Sequence, residues 1–552
     1  MPADNAPATR APASAERAPA PPRVESALLD ALRSDLAAAP FTTQACRDLL
    51  GPLAHDALGR ENPIPARRIL AQDERPTAVL LWLFTLGGAL RRDLVERALP
   101  TLGLQGALAL GLVEEIDAEA VAEGDVSGAP DGAPDGTRDG GSRAARVRAA
   151  VDLSPYAASD DLGEIQWWIA SDLSEIATGA PLSSDHVLGV GGASLTLARI
   201  TPRGHVGRVL DLGCGGGIQA LHASRHADHV VATDLSPRAL AFAAFNAALN
   251  GIELELREGS LLEPVAGEQF DLVVSNPPFV ITPRSGGVAQ WTYRDGGRTG
   301  DVLTAELLAD LPPHLSPGGS ALMLSNWEIS ADTAWDVHPR AWLEPVLADG
   351  IDAWVIQRES EDAAQYAETW ARDGGITVRD AAWRSMQEAW LEDFEARGTT
   401  GIGFGYLLLH RPGTPRPDGA QVLLEEVTGT GSGTLSEHIG AGLTALDALA
   451  RLDDEALLAS RPVRAADVVE RRHLTPGEFD PMLIELVQGG GFARTIREDQ
   501  VLAAVVGALD GTLTLGQVLG AVCALTDEDE AAARERVLPQ LREMIRTSMV
   551  TL

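Results

Sequence analysis

Two short runs carry the residues whose types and spacing can do chemistry. The first, Gly213-Cys214-Gly215-Gly216-Gly217, follows an apolar strand pattern (Val209, Leu210, Leu212) and leads into a helical one. Glycine is needed where backbone must turn tightly and let a ligand approach with no Cβ in the way. Asp234 closes the next strand pattern about 20 residues on, where a carboxylate can accept from two ribose hydroxyls. Loop, spacing and acid together point to a nucleoside-containing cofactor. A nicotinamide dinucleotide stays open at this point, although the run reads DLGCGGG rather than GxGxxG and Asp211 precedes its glycines.

The second run, Asn276-Pro277-Pro278-Phe279, ends the strand pattern "FDLVVSNPPFV". Consecutive prolines cannot continue a central ladder, because neither donates a backbone hydrogen bond. The strand therefore stops at its carboxyl end, where open α/β sheets bind ligands. Asn276 and the carbonyl of Pro277 supply two acceptors able to grip a planar NH2 group, with Phe279 over its π-face. Such a nitrogen shares its lone pair with a π-system and is a poor nucleophile. Hydrogen bonds from its protons to Asn276 and Pro277 favour the positive charge that develops as a new bond forms. Alignment of the reacting atoms supplies much of the rest, and no strong general base is required at first.

The glycine run resembles motif I of class I S-adenosylmethionine (SAM) methyltransferases, whose fold is a Rossmann-like sheet. The resemblance implies that Gly213, Gly215 and nearby backbone hold the methionine moiety, with Asp211 in the same cofactor set. It places Asp234 on the ribose and Leu235 beside the adenine. Ser260 and Leu261, at the end of "LELREGSLLEP", fall where the family contacts the adenine amine. Asn276 lies at the junction of cofactor and acceptor.

The [DNS]-P-P-[YFW] motif marks methyltransferases of planar nitrogens: glutamine side chains, adenine N6 or guanine N2. The continuation, with Thr282-Pro283 and then Gly296-Gly297 and Gly300, resembles the HemK-type glutamine methyltransferases of release factors, especially their eukaryotic and archaeal branch. Phe279 is instead the residue favoured by the small-domain rRNA guanine-N2 methyltransferases, which usually follow it with His where this chain has Val280. The resemblance covers about Val187 to Gly319.

Other residues invite a functional reading and have a plainer one. His186 reads as a loop histidine, and Gly191-Gly192 as either a cofactor contact or a turn. Gln166-Trp167-Trp168 reads as core packing on a helix face rather than a substrate platform. Trp291 and Tyr293 are placed to belong to a lid over the substrate. Cys214 is a small loop residue, and Asp527 to Glu530 a solvated helix start.

Alternating strand and helix patterns from about Asp160 imply a mostly parallel, doubly wound sheet. The strand patterns are Arg208–Leu212, His229–Thr233, Glu253–Arg257, Phe270–Ser275, Ser320–Ser325, Ala353–Gln357 and Gly401–Leu409. Pro237–Leu249 and Asp301–Leu311 are the clearest helices. The expected fold class is α/β, a Rossmann-like methyltransferase core over 160–412, flanked by helical domains. The N-terminal one, 25–159, is winged-helix-like or a plain helical docking domain, with a flexible insertion at 123–146 that repeats APDG. Residues 1–24 read as a disordered tail without the apolar region of a signal peptide. Residues 413–552 read as a mainly helical C-terminal domain.

The chain has 552 residues and a net charge of −35, and all 44 of its basic residues are arginine. Without lysine there is no Schiff-base or P-loop lysine chemistry. A strongly acidic chain repels phosphate backbones, so extended nonspecific nucleic-acid binding is not expected. Cys46, Cys214 and Cys523 lack CxxC spacing, which argues against a disulfide framework or a metal site. The expectation is a cytoplasmic SAM-dependent N-methyltransferase, free of membrane. Its first acceptor is a protein glutamine, with a translation release factor as the partner the resemblance implies. An RNA or DNA base is the alternative, and a non-catalytic SAM-binding scaffold a third reading.

Overall fold

The computed structural model describes residues 19–116, 146–180, 182–284, 294–416, 419–427 and 429–552. The insertion at 123–146, save its last residue, lies outside the described residues, as do Trp291 and Tyr293, the residues expected in a lid, and most of the 1–24 tail. Residues 19–24 correct that tail's boundary: Pro22 is buried, and Arg23 N donates to Leu110 O at 2.8 Å.

Helices Ser26–Ala38, Thr43–Leu58, Ile64–Leu70 and Pro76–Leu80 build the N-terminal module. A short strand, Leu90–Arg91, precedes helices Arg92–Ala98 and Gly103–Leu110 and strands Val113–Ile116 and Arg146–Ala149. The three strands form an antiparallel sheet with Arg146–Ala149 in the middle, the connectivity of a winged helix. A long hairpin follows, Asp152–Asp160 against Gly163–Ser171. It corrects the reading of Trp167 and Trp168 as a helix face. Period-two alternation sends the two indoles to opposite sides of a strand. Trp168 Nε1 donates to Phe41 O at 2.7 Å, whereas Trp167 stacks on Tyr156 at 5.9 Å. The hairpin also straddles residue 160, so no domain boundary falls there.

The central sheet has eight strands: β1 (Val206–Leu212), β2 (Ala227–Asp234), β3 (Glu255–Glu258), β4 (Phe270–Ser275), β5 (Leu315–Ser330), β6 (Asp352–Asp362), β7 (Thr399–His410) and β8 (Val422–Glu426). Their order is β8-β6-β7-β5-β4-β1-β2-β3, and only β7 runs against its neighbours. It is a mostly parallel, Rossmann-like α/β sheet. Helices α1 (Gly192–Ile200), α2 (Ile218–Ala223), α3 (Pro237–Leu249), α4 (Val302–Asp310) and α5 (Val337–Ala348) flank it. Both faces are covered, so β1 is apolar on both: Val209 packs into one layer of core and Leu210 into the other. The outer face of α3 (Phe242, Phe245, Leu249) shares a core with Leu29 and Leu32 of the N-terminal module.

Two features differ from the strand and helix patterns. Strands β5, β6 and β7 run several residues past the rest of the sheet, and between β6 and β7 stands a helical hairpin, α6 (Ala363–Asp373) and α7 (Ala381–Arg397). The sheet also continues past residue 412, because β8 pairs in parallel with β6. The C-terminal segment holds helices Leu435–Leu449, Asp454–Ala459, Gln500–Gly507, Leu515–Thr526 and Glu530–Arg546. It also holds a three-stranded antiparallel sheet, Val468–Leu474, Pro481–Gln488 and Thr495–Glu498. Its first strand is exposed along all but one residue, so it lacks the apolar alternation that marks a half-buried strand. None of the helices among the described residues is long and apolar enough to cross a membrane.

Candidate active site

Strand register sets the site. Leu212 of β1 pairs with both Thr233 of β2 and Ser275 of β4, so three carboxyl ends lie level. One residue beyond each stand Gly213, Asp234 and Asn276. All three line one cleft of about 910 Å³, within the range of small-molecule sites.

At the cofactor end the glycine loop turns on positive φ values, 72° at Gly213, 53° at Gly215 and 85° at Gly217. Gly213 N and Cys214 N both donate to Thr233 O at 2.9 Å. A Cβ on Gly213 or Gly215 would meet no protein atom within 4 Å, whereas one on Gly217 would come within 3.1 Å of Ala243 on α3. The first two glycines thus keep space open to a ligand, and the third lets a helix pack close.

Asp234 accepts from Gly215 N through Oδ2 and from Ser236 N through Oδ1, both at 2.8 Å. A carboxylate has about four lone-pair sites, so two remain for a ribose. Burial raises its pKa. Leu235, 62% exposed, lines the cleft beside it, as do Ser260 and Leu261, the latter in left-handed backbone at φ 46°. Asp211 is 1% exposed and accepts from Ala220 N in the first turn of α2 at 2.8 Å. Burial pushes its pKa up to about 7. It borders the cleft, and its bond is to the helix that the loop enters.

At the acceptor end, Asn276 Oδ1 is buried with no hydrogen-bond partner among the described residues. An orphaned buried acceptor is costly unless a ligand satisfies it. Pro277 O accepts from Phe279 N at 2.8 Å, a tight turn that aims the Phe279 ring and spends one of the carbonyl's two lone pairs. Val280 N donates to Arg294 O at 3.0 Å, and Ile281 N to Tyr366 Oη at 3.0 Å.

Residues 187–337 match the family model described as methyltransferase small domain. Residues 38–123 match one described as a domain of unknown function (DUF7059). Over 124 residues the chain is 36% identical to the release factor glutamine methyltransferase of Geobacter sulfurreducens, covering 21% of this chain and 44% of that one. It is 32% identical over 162 residues to the ribosomal protein uL3 glutamine methyltransferase of Bradyrhizobium diazoefficiens (27% and 50%). It is also 32% identical over 126 residues to the ribosomal RNA small subunit methyltransferase C of Alcanivorax borkumensis (23% and 34%). The chain thus spans about half the length, or less, of these curated relatives.

Residues 187–337 are a methyltransferase domain. The cofactor of this domain is S-adenosylmethionine, and the loop fits it: two glycines opening onto the cleft, an acid at the next strand end, and a buried acid beneath. Asn276, Pro277 and Phe279 line the same cleft as Asp211, Gly213, Gly215, Asp234, Leu235, Ser260 and Leu261.

The methyltransferase domain also uses residues that motif reading missed. Asn246 on α3 is fully buried; its Nδ2 donates to Gly216 O at 2.9 Å and Ala170 O at 3.0 Å, and its Oδ1 accepts from Ala170 N at 2.7 Å. It ties the glycine loop to the 152–171 hairpin. The available signal was a polar residue inside the apolar run "AFAAFNAAL". His186, which reads as a loop histidine, and Gly191-Gly192, which read as either a cofactor contact or a turn, border the cleft. Val187 is held there by Asp172, whose Oδ2 accepts from Val187 N at 2.8 Å and whose carboxylate pairs with Arg238. Trp370 and Asp373 of α6 reach the acceptor side from about 100 residues further along the chain, with no motif to announce them.

Charge at the acceptor mouth is balanced. Arg284 pairs with Asp295 at 2.6 Å, Arg294 with Asp373 at 2.6 Å and Arg298 with Glu306 at 2.8 Å. Each arginine there already holds a carboxylate. In the module with winged-helix connectivity, Arg92 pairs with Glu115, Arg148 with Glu114 and Arg97 with Glu74.

Proposed function

We propose that the chain is a SAM-dependent N-methyltransferase whose acceptor is a protein glutamine side chain, on a release-factor-like substrate. The observation that carries this reading is the orphaned Asn276 Oδ1 at the carboxyl end of β4, with the Phe279 ring beside it. SAM supplies an electrophilic methyl group on a sulfonium. Asn276 Oδ1 accepts one amide proton of the glutamine, and the free lone pair of Pro277 O accepts the other. That grip holds the NH2 plane across the cleft and lowers the cost of positive charge on nitrogen. Phe279 excludes water from the same plane, and the fixed backbone of β4 sets the approach direction. The proton then leaves to solvent through the mouth, since the alkylated amide nitrogen is strongly acidic.

Glutamine is favoured over a nucleic-acid base by the arginine pairing at the mouth. Phosphate contacts need cations free to replace counterions, and a flipped base brings its phosphates with it. Relatives named for release factor and ribosomal protein glutamine methylation support the same acceptor. A translation-factor substrate would place the enzyme in the cytoplasm. The test is methyl transfer from labelled SAM into a lysate of a strain lacking the gene, followed by separate protease and nuclease digestion. Protease-sensitive, nuclease-resistant label is the expected result. Nuclease-sensitive label would overturn the glutamine reading in favour of a base.

A further inference from the structure

The α6–α7 hairpin is an addition to the sheet connection between β6 and β7, and it is seated on the motif that does the chemistry. Val280 and Ile281, directly after Phe279, pack into one core with Tyr366, Trp390 and Phe394 of the hairpin. Tyr366 is fully buried, and its hydroxyl accepts from Ile281 N at 3.0 Å and from Asn326 Nδ2 at 2.6 Å. The hairpin therefore cannot shift without moving the backbone that follows Asn276-Pro277-Pro278-Phe279.

The last turn of α6 faces the cleft. Trp370 and Asp373 border the same cavity as Asn276 and Phe279. Their placement is fixed by Arg294, 3% exposed, whose Nη1 donates to Trp370 O at 3.0 Å and Asp373 Oδ2 at 2.6 Å. The Arg294 guanidinium also lies 5.6 Å from the Trp370 ring centre. The Asp373 side chain remains 43% exposed beside this pair. A rigid indole wall with a half-exposed carboxylate next to it suits a peptide: the ring packs on the main chain, and the carboxylate accepts from its N–H groups. Paired with Arg294, it leaves no free cation there, among the described residues, for a phosphate backbone.

We propose that Trp370 and Asp373 form the acceptor subsite, which binds the polypeptide segment flanking the modified glutamine. This rests on the glutamine reading above. A glutamine side chain reaching Asn276 draws its own main chain to the mouth of the cleft, where the α6 turn stands. The hairpin then discriminates among acceptors by the segment it packs against, and Asn276 acts on whichever amide is delivered.

The test uses the full chain as wild type, Asp373→Asn and Trp370→Ala, with labelled SAM and bulk soluble protein from a strain lacking the gene as the acceptor probe. Initial rates against probe concentration give an apparent KM and kcat, and calorimetry gives SAM affinity. Both variants are expected to raise the apparent KM about tenfold, as for a well-buried contact at an interface, with kcat and SAM affinity within about twofold of wild type. Asp373→Asn keeps the side chain's size, so it reports on the subsite even where Trp370→Ala unfolds the hairpin. An unchanged KM, or a parallel loss of SAM affinity, would overturn the subsite. The wild type separates the two claims, since the destination of its label tests the glutamine reading and the variant-to-wild-type ratio tests the subsite. No transfer by wild type would overturn both.

Discussion

The two ends of the cleft are built on different terms. At the cofactor end the acids and the amide that shape the loop have partners inside the protein: Asp234 holds Gly215 and Ser236, Asp211 holds Ala220, and Asn246 holds Gly216. At the acceptor end Asn276 Oδ1 is buried with none, and the walls come from a hairpin almost 100 residues away. The cofactor end is a preformed cradle that a ligand enters without rearranging it. The acceptor end holds an unmet hydrogen-bonding demand that only the right substrate cancels. Affinity and chemistry are thereby assigned to separate residues, and mutations should separate them too.

The sharpest break between the ends is Asn276→Ala. It is expected to lower kcat by about 10²–10³, the scale for losing one positioned group that stabilises developing charge, and to leave SAM affinity within a few-fold. Steady-state methyl transfer with calorimetry checks both. If SAM affinity falls as far as kcat, the two ends are not separate.

Asp234→Ala should do the reverse. Losing a charged hydrogen-bonding group costs about 1.5–3 kcal/mol, so SAM binding is expected to weaken about tenfold to a hundredfold. Extrapolated to saturating SAM, kcat should stay near wild type. A kcat defect that saturation does not rescue would place Asp234 in the chemistry.

Asn246→Ala tests whether the cradle depends on its buried ties. It strands Gly216 O and both backbone polar groups of Ala170, which costs about 1–3 kcal/mol of stability in a denaturant titration. Unchanged stability would mean that water takes over these bonds.

A separate effect is a pH dependence at Asp211. Its pKa is raised to about 7 by burial, against an ordinary value of 3.8, so the folded state binds the proton more tightly than the unfolded one. The stability this contributes is fully present below the unfolded value and is lost as pH rises toward 7. Asp211→Asn removes that dependence. Relative to wild type the variant should therefore gain stability between pH 5 and pH 8, read as a rising difference in Tm. A flat difference would mean that Asp211 is ionised in the native protein throughout.

How much was legible in the sequence follows the same division. The cofactor end is coded locally: strand, glycine turn, helix and acid follow one another within about 25 residues of chain, so their periods and spacing can be read directly. Beyond that run, Pro237–Leu249 and Phe270–Ser275 match their sequence patterns residue for residue. Asn276 was legible because two prolines announce a strand end. Trp370 and Asp373 were not, because an amphipathic helix looks the same whether it covers core or lines a site. Trp167 and Trp168 were misplaced on a helix because aromatic residues alone do not decide between the two periods. The C-terminal sheet was missed because Val468–Leu474 is solvated on both faces, leaving no alternation to see.

The most direct measurement is the chemical identity of the methylated group. Acceptor protein labelled by the wild-type chain would be digested fully to free amino acids and analysed by mass spectrometry against standards. N5-methylglutamine is the expected product, absent when Asn276→Ala replaces wild type. Label on any other amino acid, or recovered in nucleosides, would contradict the reading of Asn276 as the acceptor of an amide proton.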